Sequence, residues 1–309
     1  MKPNIVIKVV GVGGSGGNAV SRMMKCDIKG VELLAINADI QDLQRTKADK
    51  KILIGKNSTK GLGTGMNPDV GRQAAEEQRQ DIEEALSGAD MVFITCGLGG
   101  GCGSSASVVT ADVAKKIGAL TLAVVTTPFS FEGVQRMDIA QNSLKNLKSK
   151  VDTLIVISNN KLLSALDSNV TVLNAFWFCD EILRQAVQGI SDLIVLPGII
   201  NVDFADIRAI MKNSGSALFG IGKAKGSERA KQAASQALNS PLLDLSCKGA
   251  KGVLFNVSGG KDISLTEIDE AAKLIMQEVS PDARVIFGAI QDEKLAKGEI
   301  KVTVIATGF

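Results

Sequence analysis

Apolar runs alternate with amphipathic stretches along the first half of the chain. Six of these runs are rich in valine and isoleucine and show little apolar–polar alternation, which is typical of strands buried on both faces of a sheet. The runs lie at 5–10, 31–36, 50–54, 91–95, 120–126 and 151–158. The stretches between them have helical spacing and lie at 16–26, 69–87, 104–117 and 132–147. This alternation predicts a doubly wound, mostly parallel sheet with ligand sites at the carboxyl ends of its strands.

The second half opens with a long apolar segment at 171–196. Its apolar residues are too numerous for a surface helix, so we expect a helix of about 24 residues, about 36 Å long and buried along most of its length. Glycine-flanked strands follow at 216–222, 251–258, 283–290 and 301–308, with helical stretches at 226–238 and 265–278. We therefore predict an α/β domain (1–170), a central connecting helix (171–197) and a smaller α+β domain (198–309).

Two glycine-rich turns each connect a strand to a helix in the first half. They are GVGGSGG (11–17) and GLGGGCGSS (97–105). Glycines at a helix start expose backbone N–H groups, which together with the positive end of the helix dipole bind phosphate. A third glycine-rich segment, KGLGTGMNP (60–68), also follows a strand. Together they predict a nucleotide whose phosphates are gripped from two sides, with the third segment as a lid over the terminal phosphate.

A nicotinamide dehydrogenase is the main alternative. The first turn matches G-x-G-x-x-G through Gly11, Gly13 and Gly16. Asp39, after the second strand, could be the acidic residue that such enzymes use. The second glycine-rich turn has no role in that interpretation, which counts against it. The Walker pattern of ordinary phosphate-binding loops is absent.

Composition excludes several kinds of chemistry. The 309 residues contain no histidine, which excludes a Ser–His–Asp triad and histidine metal ligands. The net charge of +2 and the lack of an arginine-rich block argue against nucleic acid or a lipid surface as the main partner. A charged N-terminus that runs straight into a strand, and no apolar run of about 20 residues, predict a cytoplasmic protein without a signal peptide or membrane span.

The cysteines lack C-x-x-C spacing, so we expect reduced and mostly buried thiols. They are Cys26, Cys96, Cys102, Cys179 and Cys247. Cys102 lies in the second glycine-rich turn at a predicted helix N-terminus, where the pKa of a thiol tends to fall.

Two carboxylates, Asp203 and Asp206, stand three residues apart just after the long helix. An acidic residue at the start of a helix is ordinarily a cap. However, the long helix is expected to carry the chain away from the phosphate-binding turns, so these acids should not reach the phosphates of their own chain. They could serve a neighbour stacked head to tail, in a contact that propagates into a filament. Two carboxylates and Mg²⁺ suffice for phosphoryl transfer without histidine.

Over essentially its whole length the chain resembles the FtsZ family, the tubulin-like GTPases of bacterial cell division. The resemblance is carried by GVGGSGGNAV, GLGTGMNPDVGRQAAEE, GLGGGCGSS, TTPFSFEGVQR, NVDFADIRAIM, SGSALFGIG and VTVIATGF. It implies a tubulin-like fold in which a parallel-sheet GTP-binding domain is joined by a long central helix to a smaller α+β domain. It also implies head-to-tail protofilaments that hydrolyse GTP to GDP and phosphate at the subunit interface, in the septal ring. Mg²⁺ would be bound mainly through phosphates and water, and no side chain is assigned as its ligand.

The same resemblance implies partners and a location. The chain would assemble with itself in the cytoplasm at the division site, without nucleic acid and without direct membrane contact. Adaptor proteins of cell division would bind through a C-terminal tail beyond Phe309.

Carried over position by position, the resemblance assigns a role to each part of the site. The phosphates would lie against Gly13, Gly14, Gly16, Gly17, Gly63, Gly65, Gly99, Gly100, Gly101, Cys102 and Gly103. Glu132 and Arg136 would contact the ribose and phosphate. The guanine base would be contacted by Asn18, Asn159, Phe176 and Asp180. Asn201, Asp203 and Asp206 would act on the nucleotide of the adjacent subunit. Without the resemblance, Phe176 would be interpreted as a core residue, Glu132 and Arg136 as a helix pair, and Asn18 as solvent-exposed.

The second glycine-rich turn departs from the family pattern at three positions. Cys102, Ser104 and Ser105 stand where the family usually has Thr, Thr and Gly. Cys102 removes a hydroxyl donor, and Ser105 adds a Cβ atom. We expect nucleotide binding to persist because backbone N–H groups are unchanged. The alternative to a polymerising GTPase is therefore a filament-forming, nucleotide-binding scaffold with little or no GTP hydrolysis.

Overall fold

The computed structural model describes residues 5–164, 170–240, 249–292 and 294–309. The chain forms two compact units, Met1–Gln188 and Gly189–Phe309. The boundary between the units falls inside the long helix, whereas the predicted domains ended before and after it. Cys247 lies outside the described residues.

Parallel strands form the sheet of the first unit. In the described residues they are β1 (Ile7–Val12), β2 (Val31–Asn37), β3 (Lys50–Leu53), β4 (Met91–Gly97), β5 (Leu120–Thr127) and β6 (Thr153–Ser158). Their order is β3-β2-β1-β4-β5-β6, and every neighbouring pair is parallel. This confirms the predicted doubly wound sheet. The strand order reverses between β1 and β4, which is where ligands bind in such sheets.

The helices of the first unit follow its strands. They are α1 (Gly13–Lys25), α2 (Ile40–Arg45), α3 (Pro68–Glu77), α4 (Arg79–Leu86), α5 (Gly101–Lys116), α6 (Val134–Lys148) and α7 (Asn159–Ser164), with a 3₁₀ turn at Ser130–Glu132. The sequence pattern did not predict α2 or α7, and it predicted α3 and α4 as one helix. The chain leaves helical geometry at Gln78, whose buried side chain accepts a hydrogen bond from the Gly55 N–H at 2.6 Å.

Two central strands and one central helix make up much of the core of the first unit. Every residue of β1 is buried, and Val92 and Ile94 of β4 are inaccessible to solvent. Helix α5 contributes small side chains, including Ala106 and Ala111, which are also fully buried. Small residues let a helix approach the sheet closely, so the start of α5 is fixed next to the end of β4.

The second unit contains a mixed sheet, as the sequence predicts. Its described strands are β7 (Gly215–Lys225), β8 (Gly252–Gly259), β9 (Arg284–Gln291) and β10 (Glu299–Thr307), in the order β7-β10-β8-β9. Strand β10 is antiparallel to both β7 and β8, whereas β8 and β9 are parallel. Its described helices are α9 (Phe204–Met211), α10 (Arg229–Leu238) and α11 (Leu265–Gln277), the last with a Ser264–Glu267 capping box.

The long helix, α8 (Val172–Val195), has the predicted length of 24 residues. Its second half is buried or half-buried, as expected. The expectation was wrong for its first turns, where Val172, Leu173, Phe176 and Trp177 are exposed. Within the described residues, none of the helices has the length and apolarity needed to cross a membrane.

The packing of β7 on α10 predicts the effect of a single methyl group in the second unit. A Cβ atom at Gly222 would overlap the Ala233 carbonyl oxygen and lie 2.7 Å from the Ala237 nitrogen. Gly222→Ala should therefore lower the free energy of unfolding by about 3 kcal/mol, because backbone atoms must move. Denaturant unfolding measures this loss. Ser216→Ala, at an exposed position of the same strand, is the control and should change stability by less than about 0.5 kcal/mol. Equal stability of the two variants would contradict the described packing.

Candidate functional site

A cavity of about 580 Å³ lies at the carboxyl end of the sheet of the first unit. Its wall includes the last residue of β4, Gly97, and the first residues after β1 and β6, Gly13 and Asn159. The cavity is therefore at the reversal of strand order, and its volume is that of an ordinary small-molecule site.

Two helix N-termini form one wall of this cavity. Helix α1 begins at Gly13 and α5 at Gly101, each three residues before the predicted start, so the glycine-rich turns are the first turns of the helices. Neither helix has a side chain that caps its N-terminus. The first N–H groups of a helix have no partner within it and carry a partial positive charge. This wall is therefore suited to phosphate.

The two glycine-rich turns lie directly against each other. Gly13 has a φ of +72°, and a Cβ atom there would lie 3.0 Å from the Gly103 nitrogen. Both its conformation and its contact therefore favour glycine. This close approach places the N-termini of both helices beside the same cavity.

The third glycine-rich segment packs on the second turn. A Cβ atom at Gly101 would lie 2.6 Å from the carbonyl oxygen of Asn67, so the two backbones meet where no side chain fits. The other end of the segment is held by the chain after β2, since the Gly63 N–H donates to the Ala38 carbonyl at 3.1 Å. Gly63, Thr64 and Met66 line the cavity. The segment thus closes one side of the cavity.

A serine braces the second turn from within. The Gly99 N–H donates to Ser104 Oγ at 2.8 Å in a buried hydrogen bond. Ser105 Oγ donates to the Gly101 carbonyl at 2.7 Å, and Ser105 packs against Gly71 of α3. Ser105 does not line the cavity. The Cβ atom that the sequence analysis treated as an intrusion is therefore accommodated between two helices.

The lowered thiol pKa that its position at a helix N-terminus suggested for Cys102 is not found. Burial raises the pKa of the Cys102 thiol to about 11, and this outweighs the hydrogen bonds from the backbone of Ala38 and Gly13. Cys96 and Cys179 are also buried, and burial raises the pKa of each to about 12. Cys26 is exposed. The three buried thiols are neutral near pH 7, so Cys102 lines the cavity as a small apolar side chain.

Two carboxylates in and before α2 complete the side of the cavity near β2. Asp39 caps α2 by accepting from the N–H groups of Gln41 and Asp42, at 2.9 and 3.1 Å. Asp42 Oδ2 accepts from Asn37 Nδ2 at 2.7 Å and lies beside Gly14. One or two carboxylates together with phosphate oxygens form a usual ligand set for Mg²⁺. Asp39 and Asp42 therefore fit a phosphate-bound magnesium ion. In the described residues, no group of three or more acidic or thiol side chains could hold a metal ion alone.

Glu132 and Arg136 line the cavity on its opposite side. Glu132 Oε1 accepts from the Phe129 N–H at 2.9 Å, and Glu132 Oε2 accepts from Arg136 at 2.8 Å. They form an ion pair between the 3₁₀ turn and α6, not a pair within one helix, and both residues lie in the cavity wall. Arg136 is partly exposed and presents a cation there.

Asn159 and Phe176 also line the cavity. Asn159 is 5% exposed, and its buried side-chain oxygen has no hydrogen-bond partner within the described structure. An unmet buried acceptor in a cavity wall indicates a donor on a ligand. Phe176 is 40% exposed and makes an edge contact with buried Phe129. A flat ring open to a cavity offers a stacking surface.

Asp180 does not line the cavity, but it follows Cys179, which does. It is 7% exposed, and burial raises its pKa to about 6, with Arg22 and Ser15 partly offsetting the rise. Ser15 itself lines the cavity. A carboxyl group whose pKa lies close to neutral pH, next to a ligand cavity, is a candidate for ligand recognition.

Many of the residues assigned from the resemblance meet in this one cavity. Those that line it are Gly13, Gly14, Gly63, Gly100, Gly101, Cys102, Gly103, Glu132, Arg136, Asn159 and Phe176. Those that do not are Gly16, Gly17, Asn18, Gly65, Gly99 and Asp180. Gly16 and Gly17 instead pack closely on Thr95 and Thr46. Asn18 is exposed on α1.

More than half of the residues that line the cavity were not assigned to the site from the sequence. They are Ser15, Asn37, Asp39, Gln41, Asp42, Arg45, Thr64, Met66, Gly97, Leu98, Thr126, Pro128 and Cys179, of which Asp39 was considered only for a dehydrogenase. An available signal was the sequence NADIQDLQR (37–45), in which Asp39 is a helix cap before a short amphipathic turn.

The second unit presents Asn201, Asp203 and Asp206 on a segment tied to β9. Ile200 and Ala289 form a backbone bridge, and Ile207 is fully buried, which fixes α9 in place. Asp203 precedes α9 but makes no capping hydrogen bond with its side chain. The carboxylate of Asp203 therefore does not act as a helix cap.

Asn201 and Asp206 each contact a neighbouring residue of the second unit. Asn201 and Asp203 are exposed. Asn201 Oδ1 accepts from the Gly198 N–H at 2.9 Å, and Asp206 pairs with Arg284 at 3.3 Å. Arg284, which the sequence analysis did not single out, therefore orients one of the two acids.

Two family models match the chain. The GTPase domain of the Tubulin/FtsZ family matches residues 6–167, and the C-terminal domain of the FtsZ family matches residues 215–309. The chain belongs to the FtsZ family of GTPases. It is 48% identical to an empty FtsZ dimer from M. jannaschii, with a TM-score of 0.96 over 100% of this chain and 89% of that one.

Further solved structures agree in fold. A point mutant of FtsZ from M. jannaschii is also 48% identical, with a TM-score of 0.95 over 98% of this chain and 91% of that one. CetZ2 from Haloferax volcanii, solved as a GTPγS-bound protofilament, is 21% identical, with a TM-score of 0.83 over 98% and 92% of the two chains. At that identity the likeness concerns the fold alone. As an FtsZ-family chain, this protein has a tubulin-like fold, as predicted.

The serine brace of this FtsZ-family loop can be tested by one substitution. Ser104→Ala leaves the buried Gly99 N–H without its acceptor, so we expect a loss of about 1–3 kcal/mol in unfolding free energy. GTP affinity, measured by calorimetry, should fall roughly tenfold because the loop N–H groups are no longer held in position.

Thr110→Val is the matched control for this substitution. It removes a buried hydroxyl of the same helix that donates to the Ala106 carbonyl, away from the cavity. It should leave GTP affinity unchanged. If Ser104→Ala also left GTP affinity unchanged, the bond would support the helix and not the loop.

Proposed function

We propose that the chain binds GTP in the cavity of its first unit, polymerises head to tail, and hydrolyses GTP at the interface between subunits. The observation that carries the nucleotide part is the pair of uncapped helix N-termini that meet at Gly13 and Gly103 in a cavity of suitable volume. The phosphates would lie on that wall. The third glycine-rich segment would cover the terminal phosphate.

The base would occupy the opposite end of the cavity. Phe176 would stack on the ring, and the unmet oxygen of Asn159 would accept from a donor of the nucleoside. Asp180 would accept from the N1–H and the exocyclic amine of guanine. A carboxylate pairs with those two donors but repels the N1 acceptor of adenine. This chemistry favours GTP over ATP.

The carboxylates of the cavity are already engaged in holding local structure. Asp39 caps α2, Asp42 binds Asn37, and Glu132 binds a backbone N–H and Arg136. The chain has no histidine that could act as a base in their place. A water-activating group from another subunit would supply what the cavity lacks, which supports hydrolysis at an interface.

Asp203 and Asp206 would supply that group. Asp203 does not cap α9, and Asp206 is oriented by Arg284 at the surface. In a head-to-tail contact they would hold and polarise the water that attacks the γ-phosphate of the neighbour, with Asn201 beside them. The N–H groups at the helix N-termini would stabilise the negative charge that develops on the leaving group, GDP. Asp39 and Asp42 are the residues that would hold Mg²⁺, which would supply further positive charge at the phosphates.

The cellular role follows from membership of the FtsZ family. We propose that the filaments act in cell division at the division site in the cytoplasm, with adaptor proteins as further partners. The alternative of a scaffold with little hydrolysis rested on the altered glycine signature. Ser105 fits against Gly71, and Cys102 is a neutral side chain in the wall, so neither observation favours that alternative.

Base recognition by Asp180 can be tested by changing both the side chain at position 180 and the base of the nucleotide. Asp180→Asn removes the charged acceptor, so GTP affinity should fall about a hundredfold or more. The same variant should gain affinity for XTP, because an amide accepts from xanthine N1–H and donates to the xanthine C2 carbonyl. Calorimetric titration of both nucleotides measures the exchange. If Asp180→Asn lost GTP without gaining XTP, direct recognition of the base edge by Asp180 would be wrong.

The shared site can be tested by mixing two inactive chains. Asp206→Ala should bind GTP normally but not hydrolyse it, and Gly100→Phe should block the cavity, since Gly100 lines it and faces open space. In a 1:1 mixture of freely assorting subunits, about a quarter of the contacts join a bound nucleotide to an intact acid pair. Phosphate release should therefore recover to about a quarter of the wild-type rate at most.

Asp282→Ala, which removes another exposed acid of the second unit, is the control and should remain fully active alone. No recovery in the mixture, with both chains folded, would contradict the shared site. A loss of GTP binding in Asp206→Ala would contradict it as well.

A further inference from the structure

The only tryptophan of the chain stands at the surface beside the base end of the cavity. Trp177 follows Phe176 in α8 and is 42% exposed. The guanidinium carbon of Arg22, from α1, lies 5.0 Å from the centre of the indole ring. This is within the range of a cation–π contact. Because Trp177 is exposed and contacts an arginine, burial of its apolar surface alone does not explain its position.

The same arginine faces the buried carboxylate of Asp180. Arg22 Nε lies 3.5 Å from Asp180 Oδ2. The side chain of Arg22 is 25% exposed, whereas that of Asp180 is 10% exposed. A buried carboxylate needs a charged partner to remain ionised, and a partly exposed arginine loses side-chain freedom when it stays in one place. The indole face supplies a second contact that favours this position.

We propose that Arg22 and Trp177 are positioning residues for base recognition: the indole face holds the guanidinium against Asp180, so that the carboxylate stays charged and oriented for guanine. This inference rests on the proposed function, in which Asp180 accepts from the base. Neither residue needs to touch the nucleotide. Their effect passes through Asp180.

The groups around Asp180 determine how its charge changes with pH. Arg22 and Ser15 of α1 stabilise the carboxylate, and its neighbours on α8 include the neutral Cys179 thiol. Glu181, also near Arg22, is held by Arg184 and Gln185.

Burial raises the pKa of Asp180 to about 6, against the opposing effect of Arg22. Protonated Asp180 cannot accept from both guanine donors, so GTP affinity should fall as the pH drops through about 6. Loss of Arg22 raises the pKa further and moves this fall to a higher pH. The chain contains no histidine that would titrate in the same range.

The test compares affinities for GTP and ITP, since ITP lacks the exocyclic amine that Asp180 would recognise. Arg22→Met should reduce the preference for GTP over ITP about tenfold, and Trp177→Leu about threefold. Both should raise the pH at which GTP affinity falls, Arg22→Met by more. Because nucleotide phosphates also titrate near pH 6, the shift is measured between variants with the same nucleotide.

Matched controls remove the same kinds of group from nearby positions. Phe178→Leu removes the aromatic ring next to Trp177, and Lys25→Met removes a positive charge from the exposed end of α1. Both should keep the wild-type preference and pH dependence. Trp177→Phe and Arg22→Lys retain the ring face or the charge, and each should recover most of the preference. These conservative variants also carry the test if a larger change prevents folding.

The possible results separate this inference from the function on which it rests. Folded Arg22→Met and Trp177→Leu chains with the wild-type GTP-to-ITP preference and pH profile would overturn the positioning role. A wild-type chain with no preference for GTP over ITP, or an Asp180→Asn chain with unchanged GTP affinity, would overturn the proposed recognition by Asp180 instead.

Discussion

The site depends on backbone approaches that a side chain would block. Gly13 lies against Gly103, and Gly101 lies against the loop that contains Asn67. These contacts place the N-termini of α1 and α5 beside one cavity, where the first N–H groups of both helices, which have no partner within their own helix, can act together. The contact between Gly101 and the loop around Asn67 also attaches the third glycine-rich segment to the second glycine-rich turn. Phosphate binding is therefore built into how the two turns pack, before any charged side chain contributes.

The two ends of the cavity consequently differ in what they tolerate. The phosphate end uses backbone groups, so side-chain changes such as Cys102 and Ser105 leave its donors in place. The proposed base end would use the side chains of Asn159, Phe176 and Asp180, whose orientation and charge depend on their neighbours. A buried carboxylate with a pKa near 6 is especially sensitive to its surroundings. Supporting residues should therefore matter most at the base end.

Runs of apolar residues in the sequence predicted the strands and the long helix, because each of these elements is mostly apolar. Such runs could not predict α2 and α7, which have six residues each and too few apolar positions to show a period. The break at Gln78 depends on a distant partner, Gly55, which no local pattern reveals. Likewise, the motif around Cys102 predicted a low thiol pKa, whereas the depth of burial decided the opposite. The site was identified largely through its glycines, so the contribution of α2 was missed.

The carboxylates explain why binding and hydrolysis would be separate events. Those that line the cavity are used to cap a helix, hold an amide or pair with arginine, so a single subunit would bind the nucleotide without a free base. Asp203 immediately precedes α9 and Asp206 lies in its first turn, while buried Ile207 and Ile210 anchor the helix. The Asp203 side chain makes no capping hydrogen bond, and the pair that Asp206 forms with Arg284 is exposed, so both acids could serve another chain. If they do so, the lifetime of bound GTP is set by assembly, and each hydrolysis event occurs at a contact that it can weaken.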